Sequence, residues 1–223
     1  MRAAVPLAWL LLVSLLTGCQ VIDDATAPID RDRLVEDMTK QLQRGSQVRY
    51  QAEYQLAGGQ EALVAQQVTP SRTVYEYPGG LLIVGEDEQT TCDVSIAPVK
   101  CQISAKNGQL TAYAEATKKG LVTAPVVNDL LRVTTLQPSS TVKGHDTTIA
   151  GLQASCLEVL GLTETITGNF TACVTADGVL ASFTGTVEGI NVDQALAHLV
   201  LRNPDATHFA VPKDADVVDL RQS

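Results

Sequence analysis

Four cysteines sit inside stretches that read as β-strands, and they constrain the fold more than any other feature of the chain. Residues 89–94 and 99–104 flank the turn-like Ile96-Ala97-Pro98. If they form a hairpin about that turn, facing residue numbers sum to 193, which sets Val94 against Val99 and Cys92 against Cys101. Facing residues of an antiparallel pair share one face of the sheet and lie close enough for a cross-strand disulfide. The same test applies further on. In residues 147–160 Cys156 points away from the side taken by Leu157 and Val159, and in residues 169–175 Cys173 points away from Phe170 and Ala172. Pairing Cys156 with Cys173 then sets Leu157 against Ala172 and Val159 against Phe170, so the sulfur and apolar parities agree. That agreement favours Cys92–Cys101 and Cys156–Cys173 over the crossed pairings. Closing the shorter loop contributes about 2.5 kcal/mol in the chain-entropy picture.

Disulfides persist in oxidising compartments, and the N-terminus reads as an export signal. Arg2 gives it one positive charge, and an apolar run over residues 5–16 is too short to cross a bilayer as a permanent helix. Leu16-Thr17-Gly18-Cys19 then matches the bacterial lipobox. This likeness implies that residues 1–18 are a lipoprotein signal peptide and that Cys19 becomes an acylated, palmitate-bearing N-terminus. Two or three acyl chains anchor a protein stably to the outer face of the bacterial cell membrane, where one does so only marginally. Residues 19–29 read as a lipidated tether and residues 30–223 as a single domain, which is enough chain for one sizeable core. Cleavage removes one of the 16 basic residues, leaving 15 against 25 acidic ones, a balance of −10. Such a chain repels phosphates, so nucleic acid is excluded as a partner, and it has no polybasic patch for lipid head groups.

In residues 30–44, Leu34, Val35, Met38 and Leu42 fall at helical spacing, with acidic residues early and Arg44 late; the helix is expected to end near Gly45. Strands follow. Val48, Tyr50, Ala52, Tyr54 and Leu56 alternate with polar residues, giving one dry and one wet face. Residues 61–68 and 72–77 continue the pattern, and Leu81-Leu82-Ile83-Val84 is apolar on both faces and should be covered on both sides. Residues 109–136 are helical in pattern. Leu110, Tyr113 and Ala114 share one face, Val122, Val126, Leu130 and Val133 another, with Lys119-Gly120 between them and Thr123 to Pro125 as the second helix entry. A second β region spans residues 141–202, with strands expected at 147–160, 169–175 and 179–187 and a turn at Asp177-Gly178; a short strand closes the chain at 216–220.

No G-x-S-x-G, H-E-x-x-H, Walker or G-x-G-x-x-G motif occurs. His145, His198 and His208 lie in separate segments without ligand spacing, and Glu86-Asp87-Glu88 falls in a turn. The sequence therefore reads as a binding protein, with no catalysis, metal or cofactor expected. The inward residues Tyr50, Tyr54, Leu56, Phe170 and Phe183, with Val126, Leu130 and Val133 of the helical pair, are either plain core or the wall of a ligand cavity.

The order of lipobox, helix, antiparallel strands, inserted helical pair and further strands resembles the LolA/LppX/LprG-type bacterial lipoproteins. Residues 148–156 (TIAGLQASC), 172–180 (ACVTADGVL) and 209–218 (FAVPKDADVV) are similar to strands of actinobacterial members. The resemblance covers most of the mature chain. It implies an α+β fold: a curved antiparallel half-barrel sheet, with an N-terminal helix and the inserted helical pair covering its concave face. It further implies a cell-envelope lipoprotein carrying a lipid or glycolipid between sheet and helices, with a membrane-anchored interaction or sensor protein as the alternative. Four cysteines within the fold are not a general feature of that family.

Overall fold

The computed structural model describes residues 23–106, 110–162 and 168–221. The signal peptide and Cys19 lie outside the described residues. Helix α1 (Asp23–Gly45) begins seven residues before the expected start at residue 30, so residues 23–29, read as tether, are helical in backbone. Pro28 removes one backbone bond without ending the helix.

Six strands follow: β1 (Tyr50–Leu56), β2 (Gln60–Gln67), β3 (Arg72–Tyr77), β4 (Gly80–Val84), β5 (Glu88–Asp93) and β6 (Lys100–Ala105). Then come α2 (Ala114–Lys118) and α3 (Ala124–Thr135), separated at Lys119-Gly120 as the sequence predicts. The second meander is β7 (Thr141–Ile149), β8 (Leu152–Leu160), β9 (Phe170–Thr175), β10 (Leu180–Val187) and β11 (Ile190–Val200), and β12 (Asp216–Asp219) closes the chain. The twelve strands of the described residues form one curved, open sheet in the order β12-β6-β5-β4-β3-β2-β1-β11-β10-β9-β8-β7. Each neighbouring pair is antiparallel except β12 on β6, which is parallel. Two meanders are thus joined at one seam, β1 against β11.

The expected strand over 147–160 is corrected to a hairpin, β7–β8, and β11 is a strand that the sequence reading leaves undrawn. Both differences have one cause. The two-residue turns Ala150-Gly151 and Glu188-Gly189 have positive φ at both positions, 49° and 77°, then 50° and 79°. Hairpin turns of this hand normally announce themselves by Asn or Asp before Gly. Ala and Glu in those places hide the turn from a sequence reading.

The cysteine registers are borne out. Cys92 faces Cys101 and Cys156 faces Cys173, with Leu157 on Ala172 and Val159 on Phe170. The sulfurs are bonded at 2.06 and 2.03 Å. Both bridges lie on the face opposite the helices. One packs with Leu81, Ile83 and Phe209, the other with Ala154 and Ala181. Strand β4 is covered on both faces as expected, with Leu82 and Val84 on the helix side and Leu81 and Ile83 outside.

Close backbone contact fixes the end of α1. A Cβ added at Gly45 would stand 2.0 Å from the Gly178 carbonyl oxygen, so both glycines are needed where helix meets the β9–β10 turn. Gln41 Nε2 donates to the Thr175 carbonyl at 2.7 Å, and Gln66 Nε2 donates to the carbonyls of Gly45 and Val48 at 2.8 and 2.7 Å.

Candidate binding cleft

The pleat of β1 turns Tyr50, Ala52, Tyr54 and Leu56 to the concave side, and β3 adds Tyr75. Helix α1 stops at Gly45, and α3 enters only at Ala124. Between these two ends a cleft of about 290 Å³ opens over β1 to β4. Its apolar walls include Leu42, Val64, Val84, Val122 and Leu180. Its polar groups include Tyr50, Tyr54, Tyr75, Gln66, Thr73, Thr123 and Asn128. Lys106 is the only charged residue among the described lining residues, and its Nζ donates to the Gly85 carbonyl at 3.1 Å.

Burial pushes the phenols of Tyr50, Tyr54 and Tyr75 upward, those of Tyr54 and Tyr75 well above the ordinary value of 10. All three hydroxyls are therefore protonated donors at neutral pH. That of Tyr54 donates to the Leu180 carbonyl at 2.7 Å, tying β1 to β10. Those of Tyr50 and Tyr75 have no hydrogen-bond partner among the described residues. The Tyr75 ring meets Tyr113 edge-on, with centroids 5.6 Å apart.

The α2–α3 linker is held by one buried amide. Gln194 of β11, 1% exposed, accepts from the Val122 N–H at 2.6 Å and donates to the Val122 carbonyl at 3.0 Å, so both polar ends are satisfied. The next residue behaves differently. Thr123 caps α3 in extended geometry (φ −104°, ψ 159°), and its carbonyl accepts from Val127 N–H at 3.0 Å. Its hydroxyl makes no capping bond, and Pro125 offers no N–H. Thr123 is 2% exposed, and its Oγ1, like Asn128 Oδ1, is buried without a partner among the described residues. A buried polar atom in that state costs about 1–3 kcal/mol.

The predicted wall residues divide. Tyr50 and Tyr54 line the cleft. Leu56 is buried beside it, under Gly120. Phe170 and Phe183 stack with centroids 5.7 Å apart in a closed core that also takes Val126 and Leu130. Val133 lies off the inward face of α3, where Val126, Val127, Leu130, Leu131 and Thr134 are the buried set. The polar Thr134 disguised that stripe; it is accommodated because its hydroxyl donates to the Leu130 carbonyl at 2.8 Å. Sequence reasoning missed Tyr75, Thr123 and Asn128. Tyr75 could have been found by continuing the alternation of β1 through two hairpins, but nothing local marks the other two.

The chain matches no protein-family profile and no curated protein. Solved structures do match. An uncharacterized conserved protein from Thermus thermophilus superposes with a TM-score of 0.51 at 15% identity, over 82% of this chain and 98% of that one. MucB superposes with a TM-score of 0.46 at 14% identity, over 81% of this chain and 63% of its own. MucB in complex with MucA(peri) gives 0.44 at 14%, over 82% of this chain and 61% of that one. The fold shared with the Thermus protein is the curved α+β half-barrel that the sequence resemblance implies.

Proposed function

We propose that this protein is an exported binding module, anchored to the membrane by a lipid on Cys19, that holds the acyl part of a lipid or glycolipid in the cleft between tyrosines and helices. One observation carries the reading: the concave face is filled over β7–β10 but left partly open over β1–β4, with apolar walls beside hydrogen-bonding groups. A volume near 290 Å³ stands at the lower end of the roughly 300–1,000 Å³ usual for small-molecule sites. The anchor and the envelope location rest on the lipobox, and the absence of catalysis rests on the missing motifs.

Uptake of a fluorescent fatty-acyl probe by the non-acylated protein tests the site. Thr73→Trp, at a partly exposed strand position in the cleft, should lower uptake about tenfold while the thermal midpoint holds. No uptake by the parent protein would end the reading. The anchor has its own test: Cys19→Ala should leave the membrane fraction with the fold intact, and retention after a carbonate wash would refute lipidation.

A second reading, a membrane-anchored interaction protein with no resident lipid, is favoured by a different observation. Val94, Ile96, Val217, Val218 and Leu220 are exposed at the β5–β6 turn and along the edge strand β12 and its end, and exposed apolar side chains at a sheet edge favour contact with another chain. Native mass spectrometry of the protein drawn from envelope extract decides between the two, because a co-purified lipid is expected only under the first.

A further inference from the structure

We infer that the end of the cleft at the α3 entry recognises a ligand hydroxyl, so that the preferred ligand is an acyl compound bearing a hydroxylated head without positive charge. The inference rests on the cleft being the binding site. The groups gathered there ask for complementary chemistry of one kind. Asn128 Oδ1 only accepts, and it is buried without a donor among the described residues. The protonated hydroxyls of Tyr50 and Tyr75 are free to donate, and Thr123 Oγ1 can do either. Helix α3, twelve residues long, opens onto the cleft with Thr123, Ala124 and Pro125 in its lining, so the positive end of its dipole also faces the ligand.

A hydroxyl satisfies this set because it donates and accepts at one atom. A carboxylate or an ester oxygen cannot supply the proton that Asn128 needs, and an ammonium cannot accept from the tyrosines. Cationic heads are disfavoured on a second count: among the described residues no carboxylate lines the cleft to meet a cation, and its one charged side chain is Lys106. A site built to bond a hydroxyl rejects the analogue without it, because its buried groups are then left unpaired.

The test compares 1-monodecanoylglycerol with methyl decanoate, which share an acyl chain and differ in the hydroxyls, as competitors of the fluorescent acyl probe. On the parent protein the glycerol ester should displace the probe at about tenfold lower concentration. Thr123→Val, which keeps the volume and removes the hydroxyl, and Asn128→Leu should together bring that ratio close to one; it compares two competitors on the same variant, so a change in probe affinity cancels. Thr123→Ser keeps a hydroxyl and should keep the preference; circular dichroism checks that each variant is folded, and either single variant serves if the double one is not. Probe uptake with no preference in the parent, or a preference that survives both substitutions, overturns the hydroxyl site alone. No probe uptake at all overturns the cleft reading and this inference together.

Discussion

The two wings of the sheet have the same pleat and one disulfide each, yet helices close fully over one of them and, through α2, only partly over the other. Over β7–β10 the concave face presents Leu157, Val159, Phe170, Ala172 and Phe183, which need only apolar neighbours, and α1 and α3 supply them through Val35, Met38, Leu42, Val127 and Leu131. Over β1–β4 the same face carries Tyr50, Tyr54, Tyr75 and Tyr77. A tyrosine buries its ring readily but needs a partner for its hydroxyl. Of the three sheet tyrosines that line the cleft, only Tyr54 finds one among the described residues, on Leu180. The end of α1, pinned by the Gly45–Gly178 contact, stops short of covering Tyr50 and Tyr75. Exchanging phenylalanine for tyrosine along one half of a face therefore turns a core into a site.

Alkali should break the comparison most completely. All five tyrosines stand on or against the β1–β4 wing, and burial raises every one of their phenols above 10. Below pH 10 both folded and unfolded chains keep these protons, so stability is unaffected. Above pH 10 the unfolded chain releases them first, so stability falls steadily as pH rises. Tyrosinate absorbance should appear together with loss of circular dichroism. Free titration of all five near pH 10, with the sheet intact, would show that burial does not hold these phenols up.

Phe183→Ala should cost about 3–5 kcal/mol in denaturant melts, since the ring is fully buried and stacked on Phe170. Leu130→Ala, in the same packed core, is expected at about 2–5 kcal/mol. A cost well below 1 kcal/mol at either position would mean that the filled wing is looser than its packing. Replacing Cys156 and Cys173 by Ala should cost about 3 kcal/mol, and replacing Cys92 and Cys101 slightly less, because the bridged residues are 17 and 9 apart.

The smallest effects are the most discriminating. Tyr54→Phe should cost about 1 kcal/mol, the loss of one satisfied hydrogen bond. Tyr50→Phe should change stability by less than about 0.5 kcal/mol, because its hydroxyl binds none of the described residues, and its effect should fall on ligand affinity instead. Equal stability losses at the two positions would erase the distinction between core and site hydroxyls.

Much of the frame was legible because it rests on parity. The registers of β5–β6 and β8–β9 follow from two cysteine pairs and their apolar neighbours, and β3 falls at residues 72–77 as expected. The hairpin turns at Ala150 and Glu188 were not legible, since their left-handed backbone is set by tertiary pairing and not by the residue type. The site was half legible. Tyr50 and Tyr54 announce themselves by alternation, whereas the importance of Thr123 lies in a capping bond it does not make. A side chain that fails to satisfy itself leaves no trace in a pattern of apolar spacing.

The seam between the wings has a consequence for the order of assembly. Each bridge joins adjacent strands of one meander and can be oxidised as soon as that meander has emerged from the export channel. Strand β1 has a different history, for Gln51 lies against Val200 at the far end of the chain. Until β11 is made, the strand bearing Tyr50 and Tyr54 is an open edge, and bringing the two together is the slow, non-local step of folding. Ligand capture then reports on the last event of maturation rather than the first: both disulfides should be present in intermediates that cannot yet take up the acyl probe, as trapping free thiols during refolding would reveal.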